Sequence, residues 1–579
     1  MLQARSLDDV LPTLRAVEDW TSRGYWAAGF LSYEAAPAFD PAMETHPPEL
    51  LPLASFAIFD SFELEENPPD LSGTGALAPP SDWRPLLSRE DYLKAVRRIL
   101  ELIARGETYQ VNFTFPLVAE WEVDDVAFYH RLVALQPSPQ TALLRGDDFG
   151  ILCASPELFF ELTGEQLTTR PMKGTMPRGL WPEADARARM RLTASLKDRA
   201  ENVMIVDLMR NDLGRVCEVG SVHVDKLFSV EQYPTVWQMT STVRGTCRES
   251  LSRIFAALFP CGSVTGAPKI RTMHIIRELE PAARNVYCGA VGWVAPGGRY
   301  ARFSVPIRTV LADHARGVAY YYVGSGIVAD SDPDREYSEC LDKARVLTAT
   351  PLSSFSLLET LRFESGSYSF LDAHLKRLTA SAAYFGWDLQ TERVRTALES
   401  ASWVSGSASL AFPLRVRLIV GAAGDVSVSA TPLPPAQPIW SLRESGASSA
   451  LEKRPPWRLA VADAPVNSKN VLLYHKTTAR GMYEVARRAH PAADDVVLWN
   501  EEGFVTETTI ANLVVEKRAG QFVTPPLACG LLPGVLRTDL LGRGEIEEEP
   551  IHLSEVSRAR RIFLINSVRG WMRAELISP

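Results

Sequence analysis

Apolar positions along this chain repeat at two spacings, and each spacing predicts an element. Within residues 88–105, Tyr92, Val96, Ile99, Leu100 and Ile103 fall at helical spacing, and Gly106 stands just past the end as a cap. Tyr109, Gln110, Val111, Asn112, Phe113 and Thr114 then alternate as a strand does. Residues 141–162 read as a hairpin that turns at Gly146, Asp147 and Asp148. The longest helical pattern covers 183–212 and ends at Gly214. Its second half carries Val203, Ile205, Val206 and Leu208, too apolar for a helix standing in solvent. Strands return at 287–294, 301–310 and 317–323, and Asp332-Pro333 opens another helix. Residues 1–85 alternate short apolar runs, such as 51–58, with proline turns at Pro47-Pro48 and Pro79-Pro80, and predict strands and loops. Residues 29–34 read as an edge strand.

Composition narrows the class without choosing a function. The 579 residues are 46% hydrophobic and 23% charged, the balance of soluble globular proteins, and the length allows two large domains. A net charge of −9 argues against nucleic acid or a membrane surface as a general partner. No apolar run is long enough to span a bilayer. Residues 1–20, with Asp8, Asp9, Glu18 and Asp19, lack the plan of a signal peptide. Seven cysteines are scattered without a CxxC pair, which predicts reduced thiols in the cytoplasm and no structural zinc.

Candidate chemistry centres on Arg170-Pro171-Met172-Lys173-Gly174-Thr175-Met176-Pro177-Arg178-Gly179. Two prolines and two glycines predict a loop at the end of a strand. Arg170 and Arg178 are expected to push the pKa of Lys173 down towards that of a usable nucleophile. Glu157, after Ser155-Pro156, sits where proline marks an edge or bulge. Glu201 falls in the apolar half of the long helix, where a buried carboxylate needs a cation or a metal. Glu336 and Glu339 share a helix face, and with Glu201 they are the oxygen set a Mg²⁺ site needs. The glycine-rich turn around Gly262 and Gly266 leads through Pro268, read as the first helical residue, to Lys269, a place that attracts anions. Singly, each has a plain alternative: a solvated basic turn, a surface glutamate, a solvated helix face.

Taken in order, YQVNFT, SPELFF, RPMKGTMPRG, KDRAENVMIVDLMRNDLGRV, FPCGSVTGAPK, the IRT at 307–309, GSGIVADSDP and EYSECLDKA resemble the chorismate-utilising enzymes over roughly residues 85–348. That family includes anthranilate, aminodeoxychorismate, isochorismate and salicylate synthases. The resemblance implies an α/β (α+β) fold, a sandwich of two largely antiparallel sheets with helices outside. Lysine at 173 resembles the PIKGT of aminodeoxychorismate synthases, where anthranilate synthases carry alanine, and Gln238 stands where the latter have histidine. Met172 and Gln140 depart from the family's isoleucine and tyrosine in the pocket lining. By resemblance, Lys173 is the nucleophile towards chorismate and Glu157 the general acid at the departing hydroxyl. Glu201 and Glu339 are the Mg²⁺ ligands, with Glu336 nearby. Arg308, Lys269, Gly266, Gly324, Ser325, Gly326 and Thr175 hold the substrate. No cysteine nucleophile with a following His-Glu pair is evident, so ammonia is expected from solution or from a separate glutamine amidotransferase subunit.

After a short linker near 348–356, four further segments resemble fold-type IV pyridoxal-phosphate enzymes, in particular aminodeoxychorismate lyase. They are Phe370-Leu371-Asp372-Ala373-His374-Leu375-Lys376-Arg377-Leu378, the run around Lys476, the run around Glu507, and Leu532-Pro533-Gly534-Val535. The resemblance implies Lys476 as the Schiff-base lysine and Glu507 at the pyridine nitrogen. Arg377 and the amides of Gly534 and Val535 would take the phosphate. The domain starts almost at Glu359-Thr360, without the glycine-rich strand-turn of stand-alone members. Domains are expected at 1–348 and 352–579, with a dimer through the second left open. The expected activity joins both halves: chorismate and ammonia to 4-aminobenzoate and pyruvate, for folate. The alternatives for the second half are an aminotransferase and a non-catalytic module.

Overall fold

The computed structural model describes residues 1–64, 80, 82–349, 355–405, 412–434 and 436–577. The chain forms two compact units, Met1–Pro177 with Ala188–Pro351, and Leu352–Pro579 with the excursion Arg178–Arg187. Much of the expected linker, and Pro79 of the expected Pro79-Pro80 turn, lie outside the described residues. No helix among the described residues is long and apolar enough to cross a membrane.

The first unit holds a ten-stranded and a seven-stranded sheet, antiparallel in every pairing. Phe30 and Val291 of the larger sheet pack on Ile151, Cys153 and Leu311 of the smaller, so the two apolar faces share a core. The helix Arg89–Ala104 forms where its apolar stripe predicts, and Ser88 caps it by accepting from the Asp91 amide at 3.1 Å. Strand Gln110–Glu120 follows, buried along almost its whole length.

Five expectations change. Residues 1–85 also contain a helix, Leu7–Ser22, started by a capping box between Ser6 and Asp9 and buried through Val10, Leu14 and Val17. Strand Trp26–Leu31 is central, paired on both sides by Ala54–Phe59 and Ala290–Val294, so it is no edge. The expected 141–162 hairpin is real only to Ser155. Gln140–Arg145 and Phe149–Ser155 pair in the smaller sheet, and Leu158–Thr163 crosses to the larger one. Pro156 cannot donate to a ladder, which makes it a natural breaking point, and Glu157 sits in the crossover. The long helix is two, Pro182–Ala194 and Leu196–Gly214, because Ser195 caps the second by accepting from the Asp198 amide at 3.2 Å. Pro268 is the N-cap of Lys269–Leu279, one residue before the helical position expected for it.

The second unit contains a four-stranded sheet and an eight-stranded mixed sheet. Helix Leu371–Phe385 packs Leu375, Leu378 and Ala382 against Leu357–Glu364 and Leu414–Val420 of the smaller sheet. Strands Val505–Thr508 and Asn512–Arg518 and helix Val535–Gly542 deliver the polar residues described next.

Candidate active sites

In the first unit, the segment expected to be a loop is strand Met172–Pro177, paired antiparallel with Val236–Thr246 through a bulge between Met172 and Thr175. Gly174 makes the bulge possible. Its φ is +93°, and a Cβ there would come 2.9 Å from Asp198 Cβ. Gln238 Nε2 donates to the Gly174 carbonyl at 2.9 Å and its Oε1 accepts from Thr175 Oγ1 at 2.7 Å. Asn202 Nδ2 donates to the Lys173 carbonyl at 3.4 Å. The Lys173 amine ends 3.1 Å from where a Cβ on Gly326 would stand, which explains a glycine at that place on strand Val318–Ile327.

The pKa of Lys173 is lowered, but not for the expected reason. Burial is the main cause, Lys343 adds to it, and Glu201 and Glu157 oppose it. The two arginines are neutralised elsewhere: Arg170 pairs with Glu231, and Arg178 grips Asp185 through Nε and Nη2, both at 2.7 Å. Glu157 is 3% exposed, so its plain reading as a surface charge fails. Its Oε1 accepts from Ser263 Oγ at 2.6 Å. Burial pushes its carboxyl up to about 7 against the pull of Ser263 and Lys173. A carboxyl tuned there holds a proton near neutrality and can deliver it.

Of the three metal candidates, Glu201 and Glu339 both act on Lys173 and Glu336 acts on Glu201, without the three converging on one point. Burial raises the pKa of Glu201, with Lys173 and Lys197 pulling the other way. Glu336 is buried. Glu339 pairs with Lys343 at 2.8 Å; burial would raise its pKa, but Lys343, Lys173 and Lys197 together lower it. Among the described residues no three His, Cys, Asp or Glu side chains form a metal-holding group. As the side chains stand, Lys197 faces Glu201 at 4.0 Å and Lys343 holds Glu339 at 2.8 Å, so a metal reaching these oxygens would displace lysines.

Of the expected substrate holders, Lys269 is committed elsewhere. It donates to Asp212 Oδ2 at 2.8 Å and to the Leu258 carbonyl at 3.1 Å, tying two helices together. Arg308, at φ +53°, donates to the Lys343 carbonyl at 2.7 Å, and Lys343 Nζ donates to the Gly324 carbonyl at 2.8 Å. Gly324, Ser325 and Gly326 lie inside a strand, and Ser325 Oγ shares a 3.1 Å hydrogen bond with Tyr92. Thr175 is exposed. Gly266, at φ +145°, presses against the Gln110 carbonyl, where a side chain would collide. Gln110 itself was missed. It is fully buried, both its amide atoms lack a partner, and its Nε2 reaches within 2.8 Å of the same Gly326 Cβ position as Lys173. A buried amide left unpaired beside an enclosed amine marks a place built for a polar guest. Its signal was a glutamine in an otherwise inward-facing strand.

In the second unit, Lys476, Arg377, Glu507, Gly534 and Val535 all line one cavity of about 540 Å³. Burial lowers Lys476 to about 8, helped by Arg377 and Arg480 and opposed by Glu359 and Glu507. Burial raises Glu507 to about 7, although it accepts from Tyr483 at 2.8 Å and Asn512 at 3.3 Å. Arg377 is held by a residue the sequence reading left without a role. It donates to Glu359 at 2.9 and 2.6 Å and to the Pro533 carbonyl at 3.0 Å. Glu359 also binds His374 at 2.7 Å, and despite burial Arg377 and His374 hold its carboxyl down at about 2. Gly534 is the N-cap of Val535–Gly542, and any side chain on it would collide with Asn512 Oδ1. A half-buried lysine, an acid that can face a ring nitrogen, a guanidinium and a helix start in one cavity fit pyridoxal phosphate, and the Gly534 amide already donates to the Leu532 carbonyl at 2.8 Å.

Residues 3–349 match the family model described as chorismate binding enzyme. The chain belongs to that family. Residues 356–577 match the model for amino-transferase class IV. Over 265 residues the chain is 44% identical to aminodeoxychorismate synthase component 1 of Salmonella typhimurium, covering 45% of this chain and 58% of that protein. It is 42% identical over 264 residues to anthranilate synthase component 1 1 of Haloarcula marismortui, covering 45% and 53%. The chain thus spans somewhat over half the length of these curated relatives. Among solved structures, anthranilate synthase component I from Streptococcus pneumoniae superposes with a TM-score of 0.52 at 26% identity, over 58% of this chain and 85% of that one. Two branches of the chorismate-binding family match about equally well, so identity alone does not choose between their reactions.

Proposed function

We propose that the chain makes 4-aminobenzoate in two steps, amination of chorismate to 4-amino-4-deoxychorismate and elimination of pyruvate from that product. The observation that carries the first step is the pair Lys173 and Glu157, an enclosed amine and a carboxyl near pKa 7 in one buried site. Lys173 Nζ attacks ring C2 while the double bonds shift and the C4 hydroxyl leaves as water with the Glu157 proton. Ammonia then adds at C4, the bonds shift back, and Lys173 departs. Covalent catalysis divides a difficult displacement into two easier ones. An alanine at 173 could not do this, which favours the aminodeoxychorismate branch. The component 1 name of the relatives supports ammonia supplied by a separate amidotransferase subunit. Mg²⁺ at Glu201, Glu336 and Glu339 belongs to this reading through the family resemblance, and no step is routed through it.

For the second step, bound pyridoxal phosphate would supply an electron sink. Lys476 would hold it and carry the proton that moves as the substrate ring becomes aromatic. Glu507 would face the ring nitrogen, and Arg377 with the helix start at Gly534 and Val535 would hold the phosphate. All seven cysteines are unbonded, which supports work in the cytoplasm. The test is incubation of the full chain with chorismate, ammonium, Mg²⁺ and pyridoxal phosphate. Formation of 4-aminobenzoate with equimolar pyruvate is expected. Anthranilate instead overturns the first assignment. Transfer of an amino group to a 2-oxo acid, with no 4-aminobenzoate, overturns the second.

A further inference from the structure

One wall of the second cavity has no part in the chemistry above. Arg415 and Arg417 lie two apart on strand Leu414–Val420, whose burial alternates, so both side chains stand on the face opposite buried Leu414, Val416 and Leu418. Their cross-strand neighbours on Val426–Pro432 are Thr431 and Ser429, and Arg415 Nε donates to Thr431 Oγ1 at 3.2 Å. Arg569 closes the wall with its guanidinium 5.7 Å from the Trp457 ring centroid. Arg487 lines the same cavity and sends one donor to the Asp494 carbonyl at 3.5 Å.

Among the described residues Arg415, Arg417 and Arg569 make no ion pair, and the only acid lining the cavity is Glu507. Glu507 works on Lys476, whose other strong neighbours are Arg377, Glu359 and Arg480. Arg569 answers to a different set. Burial lowers its pKa, Arg415 and Arg487 lower it further, and Asp495 opposes with less effect. The cavity therefore holds two electrostatic groups, one around the lysine and one of mutually repelling arginines. Like charges held together beside a cavity favour an anion there, and guanidinium matches carboxylate through paired donors.

We propose that Arg415, Arg417 and Arg569 form a carboxylate-holding wall that selects a dicarboxylate substrate in the second site. The inference rests on the reading of that site as a lyase and deepens it. 4-Amino-4-deoxychorismate keeps both carboxylates of chorismate, on the ring and on the enolpyruvyl arm. One carboxylate near the lysine would leave such a wall idle, and a second gives it a partner. An amino acid with a single carboxylate, already held near the lysine, has nothing to offer it.

The test uses the full chain loaded with pyridoxal phosphate, whose visible band reports from this cavity alone. Isophthalate, benzoate and inorganic phosphate are titrated against that band. Isophthalate should bind roughly tenfold more tightly than benzoate, about the worth of one charge-assisted contact. Arg415→Gln and Arg569→Gln should each remove most of that preference while the band itself and benzoate binding stay within about twofold. Arg569→Lys, which keeps the charge, should restore part of it. An unchanged preference in both glutamine variants overturns the proposal, as does a phosphate response equal to that of isophthalate. If the native chain never forms the band, the lyase reading itself fails, and the wall with it.

Discussion

Each unit places a half-buried lysine near a buried glutamate held at about pKa 7, yet the strongest charged neighbours of the two lysines are opposite in sign. Around Lys173 stand Glu201, Glu157 and Glu339, and burial with help from Lys343 depresses the lysine against their pull. Around Lys476 stand Arg377 and Arg480, which push it the same way as burial does. A depressed lysine can thus be made by desolvation where carboxylates are its strongest neighbours, or where an arginine is. The acidic site repels a dianionic substrate unless a cation joins it, whereas the basic one attracts anions directly. That contrast predicts which site depends on Mg²⁺ and which on its own arginines.

The largest expected effect comes from Lys476→Ala. It removes both the cofactor anchor and the proton carrier, so 4-aminobenzoate formation should fall by roughly a thousandfold or more. Chorismate loss should continue and 4-amino-4-deoxychorismate accumulate, to be rescued by an added lyase. Following chorismate and pyruvate in one tube checks this, and pyruvate released at the normal rate would remove Lys476 from its role. The mirror variant is Lys173→Ala. Formation of the intermediate should drop by about a hundredfold to a thousandfold, leaving at most slow direct amination at C2. Supplied 4-amino-4-deoxychorismate should still be turned over at the native rate.

Glu157 sharpens the comparison through pH. Its acid form is needed, and that form is lost as pH rises through about 7, so kcat/KM of the first step should fall about tenfold per pH unit above that. Glu157→Gln should cost roughly a hundredfold near neutrality and flatten this limb. A profile unchanged by the substitution would assign the acid elsewhere. The smallest effect concerns the cation. Glu201→Gln and Glu339→Gln should each raise the Mg²⁺ needed for half-maximal chorismate use by about tenfold, through loss of an anionic oxygen. Activity from supplied 4-amino-4-deoxychorismate should not move. An unchanged Mg²⁺ requirement in both variants would take these glutamates out of any metal site.

What the sequence by itself determined is local. The helix at Arg89–Ala104, its Ser88 cap and the strand carrying Gln110 follow from periodicity and capping, interactions reaching about four residues along the chain. The motif residues were legible for the same reason: glycine at 174 and 534 answers to a bulge and a helix start. Tertiary structure decided what those residues experience. Glu157 is near pKa 7 because burial at the crossing from one sheet to the other raises it further than Ser263 and Lys173 lower it. Lys269 is tied down by Asp212, Arg377 is shared with Glu359, and Arg178 is gripped by Asp185. Burial and ion pairing join residues far apart in sequence, so no window of the chain contains them. A charge's identity is written locally, but its solvation and its partner are set only when the sheets and helices close around it.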